Sequence, residues 1–451
     1  MKHFQANYKS DYKSIIRLGL PILIGQLGMI VVGFADNIMV GRYSTAALAS
    51  ASLVNNLFNV AIFACLGFTY GLTPLIGALY TQKRDSAIGS LLKNGLLLNT
   101  LFSLGVIAIM GVIYLNLERM GQPEELLPII KPYYLIYLAG LLPVSIFNVF
   151  AQWAYAINRT KMPMWIILSA NLLNIVGNYL LIYGNLGFPE MGLTGAGVST
   201  FVARWLTAFL IMGAFFFMNR FRGYRDGFIS GWFNGAELGR VSRTSWPVAI
   251  QMVFESGSFT FAAVMAGWLG AIPLAAFQII VITGTLGFCI YYSMASAVSV
   301  LVSNAAGLGD RRGMRRTAFA GYHIMLTLAS ISSLIFILFG KEMIAAFTED
   351  EVVIAVTVTL IFPLVLYQLG DATQITFANA LRGTSRVTPM IWIAGVSYVV
   401  VGLPATYILG FPAGLGIYGI LLSFSVSLFL AAGLFLWQFM RATSAGRSIM
   451  E

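Results

Sequence analysis

Charge is the scarcest feature of this chain. Only 10% of its 451 residues are Asp, Glu, Lys or Arg, against about a quarter in an ordinary soluble domain, so water cannot be the solvent for most of its surface. Cysteine is nearly absent too. Cys65 and Cys289 both fall in apolar runs, which argues against a disulfide framework and for two buried small hydrophobes. His3 and His323 stand alone, too few and too isolated for a metal centre. There is no Walker A sequence, HExxH or nucleophile elbow. The glycines of GLGDRRGMRR (307–316) and GAGVST (195–200) follow no strand of a βαβ unit, so phosphate cradling and a built-in ATPase are not supported. The chain is expected not to be an enzyme, to carry no cofactor and to bind no nucleic acid. MKHFQANYKSDYK lacks the apolar core of a removable signal peptide, and none is expected.

What is present is apolar: 58% of residues are hydrophobic and the mean hydropathy is +0.83. A helix needs about 20 apolar residues to cross a bilayer, and such runs recur along the chain. Because they are continuous rather than alternating, they exclude a β-barrel. Twelve spans are predicted, near residues 15–41, 46–80, 92–116, 131–156, 163–185, 193–218, 241–268, 274–306, 319–340, 352–380, 389–410 and 414–440. The fold class is therefore all-α integral membrane. Placing the N-terminus and every second connection on one side gathers all 27 basic residues there except Arg42, Arg119, Lys131 and Lys341, on the other side, and Arg204, inside a span. Basic loops face the cytoplasm, so both termini are expected to be cytoplasmic. The net charge of +10 is read first as this topology signal, with lipid head-group binding secondary.

The chain also repeats itself at an offset of about 226 residues. Pro21 meets Pro247, Met39 meets Met265, Gly41 meets Gly267, Leu48 meets Leu274, Ala49 meets Ala275, Leu75 meets Leu301 and Pro163 meets Pro389. Each half holds an even number of spans, so the repeat is parallel, as in transporters whose path lies between two lobes. An N-lobe over 1–221, a cytoplasmic linker over 222–240 and a C-lobe over 241–451 are expected, with alternating access by rocking.

Three acids remain at membrane depth: Asp36, Glu255 and Asp371. Each carries an insertion cost of about 2.5–3.5 kcal/mol at a bilayer centre. Neutral hydrogen-bonded carboxylates could serve structure, but Ser, Thr and Asn join helices at lower cost. The acids therefore point to binding of protons, metal ions or a cationic substrate. Arg204 is the one basic side chain inside a span and cannot pair with all three. Tyr367 lies four residues before Asp371, on the same helix face, where its ring or hydroxyl can meet a cation. Asn171, Asn174 and Asn178 form one stripe, whose amide oxygens suit Na⁺ beside a carboxylate or bond between helices.

These residues resemble a known family. The first span LPILIGQLGMIVVGFADNIMVGR (20–42), the loop AAGLGDRRG (305–313) and WPVAIQMVFES (246–256) are similar to the multidrug and toxic compound extrusion (MATE) transporters, NorM branch. The resemblance implies a C-lobe coupling site at Glu255, Asp371 and Tyr367, and an N-lobe site at Asp36, Asn174, Asn178 and Thr200. It implies Na⁺ or H⁺ as coupling ion, with Na⁺ at Glu255, Asp371 or Asp36, and amphipathic cationic drugs and dyes as substrates. Some branches of the family carry a second acid on the fifth span, where this chain has Asn. A monomeric multidrug antiporter of the bacterial inner membrane, surrounded by membrane lipids, is expected; a lipid-linked oligosaccharide flippase of related fold is the alternative.

Overall fold

The computed structural model describes residues 2–120 and 124–444, without the side chains of residues 2–7, 120 and 286; Arg447, counted above with the inner basic residues, lies outside them. Helices make up nearly all of it. They are α1 (Lys2–Tyr43), α2 (Thr45–Tyr70), α3 (Leu72–Thr81), α4 (Asp85–Leu115), α5 (Leu127–Ala139), α6 (Leu141–Ala156), α7 (Lys161–Tyr183), α8 (Gly192–Phe217) and α9 (Arg222–Ser230). There follow α10 (Gly235–Trp268), α11 (Ala271–Gly307), α12 (Arg311–Ala345), α13 (Glu351–Thr359), α14 (Ile361–Gly383), α15 (Pro389–Ala394), a π-helical segment Gly395–Gly402, α16 (Leu403–Gly410) and α17 (Gly416–Ala442). Among the described residues eleven helices are long and apolar enough to cross a membrane, and the pair α13–α14, bent by 46°, makes a twelfth. The twelve predicted spans are therefore present, and the chain is a multi-pass membrane protein.

Proline sets where spans break. α2 gives way to α3 at Gly71, α5 to α6 at Gly140 and α13 to α14 at Leu360. Pro74, Pro143 and Pro363 each sit three residues further on. Each lacks an N–H, and its ring crowds the carbonyl four residues back, which is the last helical residue before each break. Helix starts at chain reversals are capped by side chains: Ser44 accepts from Ala47 N, Asp310 from Gly313 N at 2.8 Å, and Asp350 from Val352 N at 2.9 Å.

The helices turn apolar faces outward. Leu101, Leu104, Ile109, Val112 and Leu115 of α4 are exposed, as are Ile331, Leu334, Ile335, Ile337, Leu338 and Phe339 of α12. Polar groups lie inside instead: Asn94, Asn99, Asn174, Asn178, Gln251, Gln368, Gln374, Asp371 and Arg382 are buried. Such a distribution suits lipid, where an outward polar group has no partner. Cys65 and Cys289 are buried and free.

By contacts the chain forms two units that differ from the sequence halves at two places. One, here the N unit, is Ile24–Ala249; the C unit joins residues 1–23 to 250–451. The divisions fall just after Pro21 and Pro247, which lie inside α1 and α10. In the C unit, the start of α1 is held on α12: Arg316 pairs with Asp11, and Tyr12 Oη bonds His323 Nδ1 at 2.9 Å. In the N unit, the start of α10 is tied to α4, with Glu237 accepting from Ser90 Oγ at 2.9 Å and Asn94 Nδ2 at 2.8 Å.

The segment 222–240, expected as a linker, is ordered and packed. α9 meets α4 backbone to backbone: a Cβ on Gly89 would lie 2.0 Å from Tyr224 O, and one on Gly227 would lie 2.2 Å from Ser86 O. Lys93 Nζ adds a bond to Gly231 O at 2.7 Å. No methyl fits at either glycine without parting the helices, an overpacking that costs about 1–3 kcal/mol or more. Gly227→Ala is accordingly expected to lower the melting temperature of the purified protein by several degrees, whereas Gly235→Ala, where a Cβ meets nothing within 4 Å, leaves it unchanged.

Candidate functional site

The two acidic regions identified in the sequence lie in different units and differ in construction. In the N unit, the α7 stripe turns Asn174 and Asn178 inward, both buried. The helix closes on α8 because residue 177 is glycine: a Cβ there would stand 2.5 Å from Ser199 Oγ. Ser199 Oγ in turn donates to Asn174 O at 2.8 Å. Asp36, half-buried on α1, accepts a short hydrogen bond from Asn178 Nδ2. Of the two ways round for the Asn174 amide, one satisfies both of its ends. In it Nδ2 donates to Asp36 Oδ1 at 3.0 Å, and the amide oxygen accepts from Thr200 Oγ1 at 3.2 Å and Thr200 N at 3.1 Å. Asp36, Asn174, Asn178 and Thr200 are thus brought together. Asn171 stands one turn away with its Nδ2 unpaired.

One cation belongs to this site. Arg204, one turn beyond Thr200 on α8, acts electrostatically on Asp36 and stacks its guanidinium on Tyr137 of α5, 4.3 Å from the ring centroid.

In the C unit two carboxylates meet. Glu255 of α10 and Asp371 of α14 are within electrostatic reach of each other. Glu255 accepts from Gln251 Nε2, one turn back, at 2.6 Å. Asp371 is 5% exposed and accepts no hydrogen bond from any described residue. Tyr367 lies a turn before it, buried, its hydroxyl filling the space that Gly284 leaves open: a Cβ there would be 2.5 Å from Oη. Asp371 thus stands with Glu255 and Tyr367. Arg382, in the last turn of α14, acts electrostatically on Glu255 and lies eleven residues from Asp371, about 16 Å along the helix.

The C-unit site is larger than the sequence indicated. Tyr398, from the π-helical segment, is 1% exposed, has a hydroxyl with no hydrogen-bond partner among the described residues, and acts electrostatically with both Glu255 and Asp371. Gln251 Oε1, on the residue that donates to Glu255, is likewise buried without a partner among the described residues. Gln251 was legible as the residue four before Glu255. Tyr398 was not, because a π turn displaces side chains from 3.6-residue periodicity; such turns recur at functional sites. Buried oxygens left unpaired beside two carboxylates form an environment that a proton or a hard cation can satisfy.

Two similar halves of membrane-spanning helices, each enclosing acid at membrane depth, define a polytopic protein of the transporter class. The chain belongs to the MatE family: the family model matches residues 21–180 and again 247–408. The two matches begin 226 residues apart, the offset of the internal repeat. Similar proteins include the "Multidrug resistance protein PmpM" of Pseudomonas aeruginosa, 30% identical over 89% of this chain and 84% of that protein. The "Multidrug resistance protein NorM" of Vibrio cholerae is 29% identical over 94% of each. Solved structures of the same fold include a MATE transporter in its bent conformation, with TM-score 0.87, 20% identity and coverage of 98% of this chain and 97% of that one. A MOP superfamily transporter from Pyrococcus furiosus has TM-score 0.85 and 20% identity, over 96% of both chains.

Proposed function

We propose that this protein is a secondary active multidrug efflux antiporter of the bacterial inner membrane, both termini cytoplasmic, expelling amphipathic organic cations in exchange for Na⁺ or H⁺. The observation that carries the reading is the pair of carboxylates Glu255 and Asp371, held within electrostatic reach of each other inside the C unit. The printed names of the relatives, multidrug resistance proteins, supply the substrate class.

The chemistry follows from what one carboxylate can hold. Glu255 and Asp371, without a bonded basic partner, favour an incoming cation. A coupling ion and a cationic drug compete for them, so each displaces the other. A ligand shifts a conformational equilibrium only by its difference in affinity for the two states. Ion and drug thus drive opposite transitions if the ion prefers the state open to the outside and the drug the state open to the inside. Tyr367 and Tyr398 present aromatic faces and hydroxyls to such ligands. The nineteen methionines and the aromatic residues suit a surface that repacks around ligands of varied shape.

A flippase for lipid-linked oligosaccharides would need a wide basic groove for its phosphates. Of the described basic side chains, Arg204 lies within a span and Arg382 is buried at the end of one, which is not a groove.

The test is ethidium efflux from everted or reconstituted vesicles with Na⁺ and pH gradients imposed separately. Efflux is expected to accelerate with at least one gradient. A rate indifferent to both would remove the antiporter reading.

A further inference from the structure

Arg204 is a costly residue to keep inside a span, and coupling by carboxylates does not require it. It is nonetheless deliberately housed. The break between α5 and α6 leaves Gly140 facing it, where a Cβ would stand 2.8 Å from Nη1 and 3.3 Å from Cδ. Tyr137, three residues earlier, offers its ring at 4.3 Å. On α8, Arg204 follows Thr200 by one turn, and Thr200 is joined through Asn174 to Asp36. The guanidinium thus has a seat built from glycine and tyrosine, on the helix that also supports the carboxylate's amide partner.

The titratable and charged groups around Asp36 are few. α8 contributes Arg204 and α5 contributes Tyr133 and Tyr137. α7 turns amides toward it, with the Tyr183 hydroxyl further along on Met39 O at 2.7 Å. One negative charge therefore faces one permanent positive charge, because guanidinium does not lose its proton in proteins. In the C unit two carboxylates act on each other, and Arg382 acts on Glu255. The N-unit acid shares its site with a cation, whereas each C-unit acid shares its site with a second acid.

We propose that Arg204 is the resident cation of the Asp36 site: seated on Tyr137 in the space left by Gly140, it closes that site to Na⁺ and leaves it a place for a proton, so that Na⁺ binds at Glu255 and Asp371. This rests on the proposed function in treating both regions as ion-coupling sites. A proton adds to a carboxylate without needing room or further ligands. Na⁺ needs several oxygens and would sit beside a fixed guanidinium, whose repulsion grows as water is excluded.

Equilibrium binding of ²²Na⁺ to the purified full-length protein tests this without any transport step, so its failure is distinct from failure of the efflux experiment. The parent is expected to bind Na⁺, and Asp371→Asn to lose it. In the Asp371→Asn background, Arg204→Gln is expected to restore binding with an affinity at least about tenfold above that of the background, and adding Asp36→Asn to remove it again. Arg204→Lys, which keeps the charge, is expected to leave Na⁺ excluded, a distinction that a merely structural role would not produce. If Arg204→Gln is not recovered as a monodisperse protein, Arg204→Met carries the same expectation. Na⁺ binding that persists in Asp371→Asn, or continued exclusion after Arg204 is neutralised, overturns the proposal; a parent that binds no Na⁺ overturns its assignment of Na⁺ to the acid pair.

Discussion

Asp371→Asn is expected to reduce ion-coupled drug efflux by about two orders of magnitude while leaving the protein folded and at least as heat-stable as the parent. The two halves of that expectation have different physical origins. Asp371 is buried, accepts no hydrogen bond from a described residue and faces a second carboxylate, so its charge opposes folding. Replacing a buried charge by a neutral group of the same shape is commonly neutral or stabilising. The same charge is what an incoming cation would meet, and two decades of lost affinity correspond to about 2.7 kcal/mol, within what one desolvated charge supplies. Thermal melts of the purified variant beside vesicle efflux separate the two. Undiminished efflux would place the coupling elsewhere; a collapsed melt would make Asp371 a structural residue.

Asp36→Asn is the second large effect. Asparagine keeps an oxygen for the amides of Asn174 and Asn178, so the helix contacts survive. The group no longer takes up and releases a proton, and drug resistance in cells is expected to fall to that of a strain lacking the protein. Asp36→Ala should differ, because it leaves two buried amide donors unpaired at about 1–3 kcal/mol each and lowers stability as well as transport. If Asp36→Asn retained full resistance, the N-unit acid would have no coupling role.

Much of this was legible in the sequence, since in a bilayer the scarce residues carry the information. The twelve spans followed from apolar run length, and the repeat from the pairing of Pro21 with Pro247 and its successors. The three acids stood out because charge is so costly at that depth. Their neighbours at helical spacing, Tyr367 beside Asp371 and Asn174 with Asn178, followed from periodicity alone. What escaped needed the third dimension. Tyr398 enters its site through a π-helical segment that no 3.6-residue pattern announces. The seat of Arg204 depends on Gly140, sixty-four residues earlier in the chain, coming opposite it. The two units divide inside α1 and α10 because the starts of those helices pack on partners distant in sequence: Asp11 on Arg316, and Glu237 on Ser90 and Asn94. The breaks at Gly71, Gly140 and Leu360 could have been read from Pro74, Pro143 and Pro363, each three residues further on.

The central claim is that drug and ion exchange for one another through Glu255, Asp371 and Asp36. The most direct measurement is counter-flow in proteoliposomes prepared with no ion gradient: an ethidium gradient is imposed, and Na⁺ and H⁺ movements are recorded together. The account predicts cation movement opposite to ethidium, in fixed ratio to it, absent from liposomes carrying Asp371→Asn. Ethidium crossing through the parent protein with no opposing flow of either ion would contradict it.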